Sequence, residues 1–215
     1  MKNKPSAEDI YQQLKSDILN NQLTAGSVLK QEQLSEKYGV SRIPIRDVLQ
    51  RLKNEGWLAQ SGKRGVMVHP LSADEAQDLY MMRQYIEPML LEFAIPKLNH
   101  QTIGQATDIL EKLDQSGLNI QQHGELNWLF HATLYQAAQR PTLFNTANHL
   151  HQLCARYIGF HSVELDYVNT SQQQHYDLLD AIRLKQVDKA KSILNLHIVQ
   201  AGELLVTYLK QNVQD

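Results

Sequence analysis

Two arginines, Arg42 and Arg46, stand four residues apart near the start of one amphipathic segment. If the segment is helical, residues four apart share a face, and here that face points away from the centre of the apolar stripe. Two guanidinium groups at the N-terminal end of a helix can reach guanine O6 and N7 in the major groove of DNA, together with flanking phosphates. The spacing therefore favours DNA reading. The competing interpretation is a pair of solvated charges on a small helical domain.

The residues around these arginines predict the elements that would position them. Apolar residues at helical spacing indicate a first helix, closed by a turn at Gly26, and a short helix over Gln31–Tyr38 that stops at Gly39. We expect Ser41 to cap the next helix, with its hydroxyl accepting a hydrogen bond from a first-turn amide. Pro44 lies in that first turn, where its missing N–H removes no intrahelical bond.

A change of pattern after this helix predicts a β-hairpin. Trp57–Gln60 and Val66–Val68 read as two short strands joined by a turn over Ser61–Gly65. Lys63 and Arg64 at the tip of the turn would reach the DNA backbone or the minor groove. No further strand is expected in the chain. Helix, short helix, capped helix and hairpin, in this order, are typical of a winged helix-turn-helix.

The composition divides the 215-residue chain near Pro70. Lysine and arginine outnumber aspartate and glutamate by 11 to 7 in residues 1–70, and are outnumbered by 16 to 10 in residues 71–215. The first part is therefore the candidate anion binder. One cysteine, Cys154, excludes an internal disulfide, and no stretch approaches the ~18 apolar residues of a membrane helix. The polar N-terminus does not resemble a signal peptide, so we expect a cytoplasmic protein.

The chain after Pro70 is expected to be entirely helical. Periodicity predicts five or six segments, near residues 73–97, 101–116, 120–138, 142–161, 168–185 and 187–211. We therefore predict a mainly α fold, in which a winged helix-turn-helix domain over residues 1–70 precedes an all-α helical bundle over residues 71–215.

The first domain resembles a known family. The resemblance runs from Ile10 to Val68 and centres on the segment LSEKYGVSRIPIRDVLQRLKNEGWL. This segment is similar to the DNA-binding domain of the GntR family of bacterial transcription regulators. Glu32 departs from the pattern, because some members place a DNA-contacting arginine there, and Ile43 stands where some relatives have a polar residue. We call the helix that begins after Ser41 the reading helix, and the hairpin the wing. The predicted DNA-binding surface consists of Ser41, Arg42, Ile43, Pro44 and Arg46 in the reading helix, and of Lys63, Arg64 and Gly65 in the wing.

The helical remainder resembles the FCD ligand-binding domain of the FadR-like branch of this family. The stretch NWLFHATLYQAAQRPTL resembles a motif in which Asn or Asp stands four residues before a His, and QQQHYDLLDAI and ILNLHI each supply a further His. The resemblance implies a divalent metal ion, Zn, Ni or Mn, bound by Asn127, His131, His175 and His197. Neutral imidazoles suit these metals. The remaining histidines are interpreted as surface or core residues: His69, His100, His123, His149, His151 and His161.

The same resemblance implies a small carboxylate effector, which a bound cation would attract. Arg83 matches an arginine in the first helix of such domains and would clamp the carboxylate with its guanidinium fork. The alternative for Arg83 is an ion pair with Glu87 at i+4. Arg156 and Tyr157 are further candidates for effector binding.

These expectations combine into a ligand-responsive, homodimeric regulator that represses a catabolic operon and is not an enzyme. A dimer is expected because one winged helix makes too few contacts for operator specificity, whereas twofold symmetry doubles them. Two other functions stay open. One is a metal-dependent enzyme in which the histidines activate water, although no general base is evident. The other is an architectural DNA-binding protein without regulation.

Overall fold

The computed structural model describes residues 4–62, 65–157 and 167–212. The chain divides into two compact units, residues 1–71 and 72–215. The mainly α fold expected from the sequence is confirmed, with a small three-stranded sheet in the first unit. In the part of the chain that the structure describes, no helix has the length and apolarity needed to cross a membrane.

The first unit is a winged helix-turn-helix. Its elements in chain order are α1 (Ala7–Leu19), β1 (Val28–Leu29), α2 (Gln31–Tyr38), α3 (Arg42–Asn54), β2 (Leu58–Ser61) and β3 (Gly65–Val68). A capping box begins α1, because the Ser6 hydroxyl accepts from the backbone N–H of Asp9 while the Asp9 carboxylate accepts from the N–H of Ser6. Gly39 ends α2 in the left-handed conformation, with a φ of 64°, which costs glycine little.

One strand of this unit was not expected from the sequence. Strand β1 pairs antiparallel with β3, with Val28 opposite Met67, so that β3 lies between β1 and β2. The predicted hairpin is present, because β2 pairs antiparallel with β3, but the expectation that the chain has no further strand is wrong. A strand of two residues is too short to show the alternation of apolar and polar side chains by which strands are recognised in a sequence.

The core of the first unit forms between α1 and α3. Ile10 and Leu14 of α1 and Ile45 and Leu52 of α3 have no exposed surface. Because these residues recur at spacings of four and seven residues, each helix buries one face and leaves the opposite face to solvent. The buried stripe of α3 thus decides which of its side chains can meet a partner.

The second unit is an all-α bundle. Its helices are α4 (Ala73–Ala94), α5 (His100–Leu113), α6 (Ile120–Gln136), α7 (Pro141–Cys154), α8 (Val168–Arg183) and α9 (Val187–Asn212), with short 3-10 helices over Ile95–Lys97 and Ala155–Tyr157. The helix predicted over residues 101–116 ends earlier, at Leu113, and the chain then turns through Gly117, which has a φ of 91°. The last residues of the segment predicted over 142–161 lie outside the described residues.

Helices α4 and α9 form the most extensive helix pair of this bundle. Gly202 of α9 permits the close approach, because a Cβ at that position would lie 2.8 Å from Cγ of the buried Tyr80 on α4. Arg83 lies one turn after Tyr80 on α4, and His197 lies on the facing helix. The packing of α4 on α9 therefore sets how these two side chains stand toward each other.

Candidate functional site

Helix α3 presents the predicted DNA-contacting residues on its exposed side. The side chains of Arg42 and Arg46 are 66% and 67% exposed, and Ile43 is 64% exposed. Ile45 and Val48 on the opposite side are buried. Guanidinium groups in such a position can reach guanine edges, and an exposed aliphatic side chain can contact a thymine methyl group.

Ser41 occupies the N-cap position of α3, but its side chain makes no capping hydrogen bond. The expectation that its hydroxyl accepts from a first-turn amide is wrong. Such a cap normally bonds the N–H of the second or third helical residue, and the third residue here is Pro44, which has no N–H. The Ser41 hydroxyl can therefore donate a hydrogen bond to a phosphate oxygen of the DNA.

Acidic side chains accompany both arginines of α3. Glu32 of α2 forms an exposed ion pair with Arg42, and the Asp47 carboxylate lies 3.5 Å from the guanidinium of Arg46. Exposed ion pairs contribute little stability, so Arg42 can exchange Glu32 for a phosphate at a small cost. Glu32 thus occupies the position of a DNA-contacting arginine in some relatives and holds Arg42 instead.

The wing is shaped by its glycine and by one glutamine. A Cβ at Gly65 would lie 2.7 Å from the carbonyl oxygen of Ser61, so the tight turn itself requires glycine. Gln60 closes the turn by donating to two backbone carbonyls, each at 3.0 Å. The predicted contacts Lys63 and Arg64 lie outside the described residues.

The three histidines of the predicted metal site come together inside the second unit. His131 on α6, His175 on α8 and His197 on α9 are buried, with ring centroids 4.8 to 5.4 Å apart. One ring nitrogen of each lies within 4.8 Å of the others. Across residues 4–62, 65–157 and 167–212, no other group of three His, Cys, Asp or Glu side chains meets in this way.

Two glutamines orient two of these imidazoles. Nδ1 of His197 lies 3.0 Å from Gln174 Oε1, and Nδ1 of His175 lies 3.3 Å from Gln172 Oε1. The amide nitrogen of Gln174 donates to Gln200, and that of Gln172 donates to the Leu110 carbonyl. The amide oxygens of both glutamines therefore face the histidines. Each Nδ1 therefore carries the ring proton and donates a hydrogen bond. The lone pair is then on Nε2, the atom that would bind a metal.

The third imidazole is oriented by a tyrosine. Nδ1 of His131 lies 3.4 Å from the Tyr135 hydroxyl, which donates to Glu87 Oε2 at 2.8 Å. Nε2 of His131 and Nε2 of His175 are buried, and neither has a hydrogen-bond partner among the described residues. A buried nitrogen without a partner is costly, and a divalent cation would provide one. The donor set therefore fits a metal ion.

Burial favours the neutral form of His131 and of His175. It lowers the pKa of His175 to about 3, with a smaller contribution from His123. Burial also lowers the pKa of His131 well below its usual range, and repulsion from the other two imidazoles of the cluster adds to this effect. The neutral imidazole is the form that binds metals, and a cluster of three imidazole side chains suits Zn²⁺, Ni²⁺ or Mn²⁺.

A cavity of about 60 Å³ lies beside His197, whereas His131 and His175 are not among the described residues that line it. Its walls include Arg83, Asn127 and His197, so the structure brings three of the predicted site residues to one space. His123 and His151, which the sequence analysis assigned to surface or core, also line it. The volume accommodates a few water molecules or a small ligand.

Arg83 combines both roles considered for it. Its Nε donates to Glu87 Oε1 at 2.6 Å, which is the i+4 ion pair, and it also lines the cavity. Arg156 and Tyr157 are placed differently. Both contact the carboxylate of Glu75, and neither is among the described residues that line the cavity. Of the other histidines, His100 and His149 are exposed, Nδ1 of His69 lies 2.9 Å from a backbone carbonyl, and His161 lies outside the described residues.

Sequence reasoning missed the residues that orient the imidazoles. Tyr135 stands four residues after His131, so the helical period could have placed them together. Gln172 stands three residues before His175 and could have been found in the same way. The partnership of Gln174 with His197 joins two helices, and no local spacing indicates it.

The fold and the site define a class of protein: a winged-helix DNA-binding unit linked to a helical unit with a ligand cavity. Residues 6–68 match the family of bacterial regulatory proteins called the gntR family, and residues 78–200, more than half of the chain, match the FCD domain. The chain belongs to the GntR family of transcriptional regulators with a C-terminal FCD domain.

Individual relatives agree with this assignment. The chain is 25% identical to the HTH-type transcriptional regulator YdhC of Bacillus subtilis over 213 residues, which cover 95% of this chain and 93% of YdhC. It is 24% identical to the HTH-type transcriptional repressor RspR of Escherichia coli over 218 residues, covering 97% and 92% of the two chains. The solved structure of E. coli McbR/YncC has the same fold, with a TM-score of 0.74 and 21% identity, over 96% of this chain and 98% of the other. YdhC and RspR are both named as transcriptional regulators, and the chain is a DNA-binding regulator, not an enzyme.

Proposed function

We propose that the protein is a cytoplasmic, homodimeric repressor of a catabolic operon, released from its operator by a small carboxylate. The observation that carries the proposal is the cluster of three buried imidazoles, one of which, His197, lines a cavity together with Arg83. A cation and a guanidinium at one cavity both favour a carboxylate. The relative RspR is named a repressor, which supports the direction of regulation.

His131, His175 and His197 would hold the divalent ion, Zn, Ni or Mn, with Asn127 as a weaker oxygen ligand. When bound, the ion supplies positive charge that attracts the carboxylate of the effector. Asparagine in place of aspartate removes one negative charge. This weakens metal binding and makes the site more attractive to an anion. Arg83 would add its remaining N–H groups to the second carboxylate oxygen.

On the DNA, we assign base reading to Arg46 and Arg42 and a thymine methyl contact to Ile43. Ser41 would bind a phosphate, and the wing turn would lie against the backbone beside the reading helix. The exposure of these side chains on α3 supports the assignment. Pro44 would contribute by fixing the first turn of the helix.

The second unit also offers a surface for a second copy of the chain. Met81, Tyr85, Met89 and Phe93 follow one another at four-residue spacing along α4 and are 37% to 73% exposed. An aligned row of exposed apolar side chains marks an interaction site. A twofold contact would cover the row on both copies. The effector and the metal would then shift the bundle between two conformations and change the distance between the two reading helices.

The test is a selection of operator sequences from random DNA by the full chain, repeated with a panel of small carboxylates. We expect one palindromic sequence to be enriched and one carboxylate to abolish the enrichment. His131→Ala should lose this response, whereas His149→Ala, which changes an exposed histidine, should keep it. Absence of any enriched sequence would contradict the proposal.

The architectural alternative predicts a different outcome. It requires a helical unit that is packed throughout, whereas this unit has a cavity with charged and polar walls. Enrichment that no carboxylate alters would favour the architectural function over regulation.

A further inference from the structure

Four buried side chains form one hydrogen-bonded chain that ends at a histidine of the cluster. Arg83 Nε donates to Glu87 Oε1 at 2.6 Å, and Tyr135 Oη donates to Glu87 Oε2 at 2.8 Å. Nδ1 of His131 lies 3.4 Å from the same Tyr135 hydroxyl. All four residues are less than 10% exposed, and Glu87 and Tyr135 have no exposed surface. Because Glu87 and Tyr135 are fully buried, bulk water does not reach their side chains.

The direction of each hydrogen bond in this chain follows from its acceptor. A carboxylate can only accept hydrogen bonds. One oxygen of Glu87 therefore accepts from Arg83, and the other accepts from Tyr135. The Tyr135 hydroxyl has then used its only proton and can only accept from His131. His131 must therefore carry its proton on Nδ1, and its lone pair is fixed on Nε2.

We propose that Glu87 and Tyr135 are positioning residues that hold His131 in the tautomer and orientation that bind the metal. This inference rests on the metal site of the proposed function. Glu87 is not one of the side chains whose ligand atoms meet in the cluster, so its role is to position His131. Arg83 orients Glu87 through its Nε while lining the cavity, so the candidate effector clamp and the metal ligand belong to one hydrogen-bonded unit.

A single amide substitution should reverse the chain. In Glu87→Gln, the amide oxygen still accepts from Arg83, and the amide NH₂ then faces Tyr135 and donates to it. The Tyr135 hydroxyl must in turn donate to Nδ1 of His131, which moves the imidazole proton to Nε2. In Tyr135→Phe, no side chain sets the tautomer.

The first experiment reads the tautomer directly in the metal-free full chain. Histidine labelled with nitrogen-15 distinguishes protonated from unprotonated ring nitrogens in NMR spectra. We expect Nδ1–H at His131 in the wild type, Nε2–H in Glu87→Gln, and a mixture in Tyr135→Phe. Loss of general stability would not move the proton from one nitrogen to the other, so this readout separates positioning from a merely structural role.

The second experiment titrates the same proteins with Co²⁺ and follows its visible absorption. Outer hydrogen-bond partners of a metal ligand are worth about 10- to 100-fold in affinity. We expect a loss of about 10-fold in Tyr135→Phe and up to about 100-fold in Glu87→Gln. Tyr11→Phe is the matched control, because Tyr11 also donates to a glutamate, Glu55, at 2.6 Å, but in the first unit. It should bind Co²⁺ as the wild type does.

Failure of the inference and failure of the metal site are distinguishable. Wild-type protein that takes up no Co²⁺ contradicts the metal site of the proposed function. Wild-type protein that binds Co²⁺, with Glu87→Gln and Tyr135→Phe binding it equally well, overturns the positioning role. An unchanged His131 tautomer in Glu87→Gln also overturns it, whatever the affinities are.

Discussion

The two units of this protein build their candidate sites in opposite ways. The proposed DNA-reading surface comes from five residues within the six-residue stretch 41–46 at the start of one helix, where Ile45 alone packs into the core. The histidine cluster takes one side chain from each of three helices, and His131 and His175 are 44 positions apart in the sequence, His175 and His197 22 positions. The first site depends on local structure, and the second depends on how the bundle packs. Substitutions far from the ligands should therefore damage only the second.

The largest effect is expected from removing the metal. An ion that binds only the folded state stabilises it by RT ln(1 + [L]/Kd), about 3 to 4 kcal/mol at 100 to 1,000 times Kd. Chelation should therefore lower the Tm of the wild type by several degrees, because the ion would tie three helices together. Elemental analysis of protein purified without a His-tag and calorimetry with added Zn²⁺ measure this effect.

The histidine variants provide the controls for that measurement. His131→Ala and His197→Ala should each abolish the effect of chelation, and His149→Ala should leave it intact. A wild-type Tm that is the same with and without Zn²⁺ would mean that these histidines bind the effector directly.

A substitution between two helices should test whether packing sets the second site. In Gly202→Ala, the new methyl group would meet the Tyr80 ring at 2.8 Å, and overpacking of this kind costs about 1 to 3 kcal/mol. Tyr80 lines the cavity, so metal or carboxylate binding should weaken together with stability. Thermal unfolding and Co²⁺ titration measure both.

Gly104→Ala is the matched control. Gly104 lies inside α5, and nothing lies within 4 Å of the position its Cβ would take. Alanine should there stabilise the helix by up to about 1 kcal/mol. Equal behaviour of the two variants would show that α4 and α9 can move apart without affecting the site.

The same contrast explains how much could be predicted from the sequence. The reading helix was predictable with its arginines, because cap position, proline and apolar stripe are all local. The helices of the bundle were predictable from periodicity, whereas β1 was not, because two residues carry no pattern. The cluster of His131, His175 and His197 came from the family motif alone. Long-range partners such as Gln174 and the cavity position of His151 depend on packing, which local spacing does not encode.

The reading helix gives the next prediction. Arg46→Ala should remove discrimination between the operator and unrelated DNA, because each guanidinium–guanine pair is worth about 1 to 3 kcal/mol. Arg64→Ala, in the wing turn, should weaken binding to all sequences alike and flatten the salt dependence. Competition titrations at several salt concentrations separate the two effects. Unchanged discrimination in Arg46→Ala would contradict its role as a base reader.

The smallest effect is expected at Glu32. It would show whether the ion pair of Glu32 with Arg42 lowers the affinity of the DNA-reading surface for the operator. Arg42 must give up its ion pair with Glu32 to contact the DNA, and an exposed pair is worth about 0.2 to 1 kcal/mol. Glu32→Gln should therefore raise operator affinity by up to about fivefold at low salt, and by less at high salt, where the pair is screened. Glu36→Gln removes the same charge from the same helix, and Glu36 has no ion pair among the described residues. If fluorescence anisotropy titrations show the same gain for both variants, the effect comes from net charge alone. A gain confined to Glu32→Gln would show that the ion pair with Arg42 limits operator affinity. The DNA-reading surface of α3 would then depend on the neighbouring helix α2 as well as on its own residues.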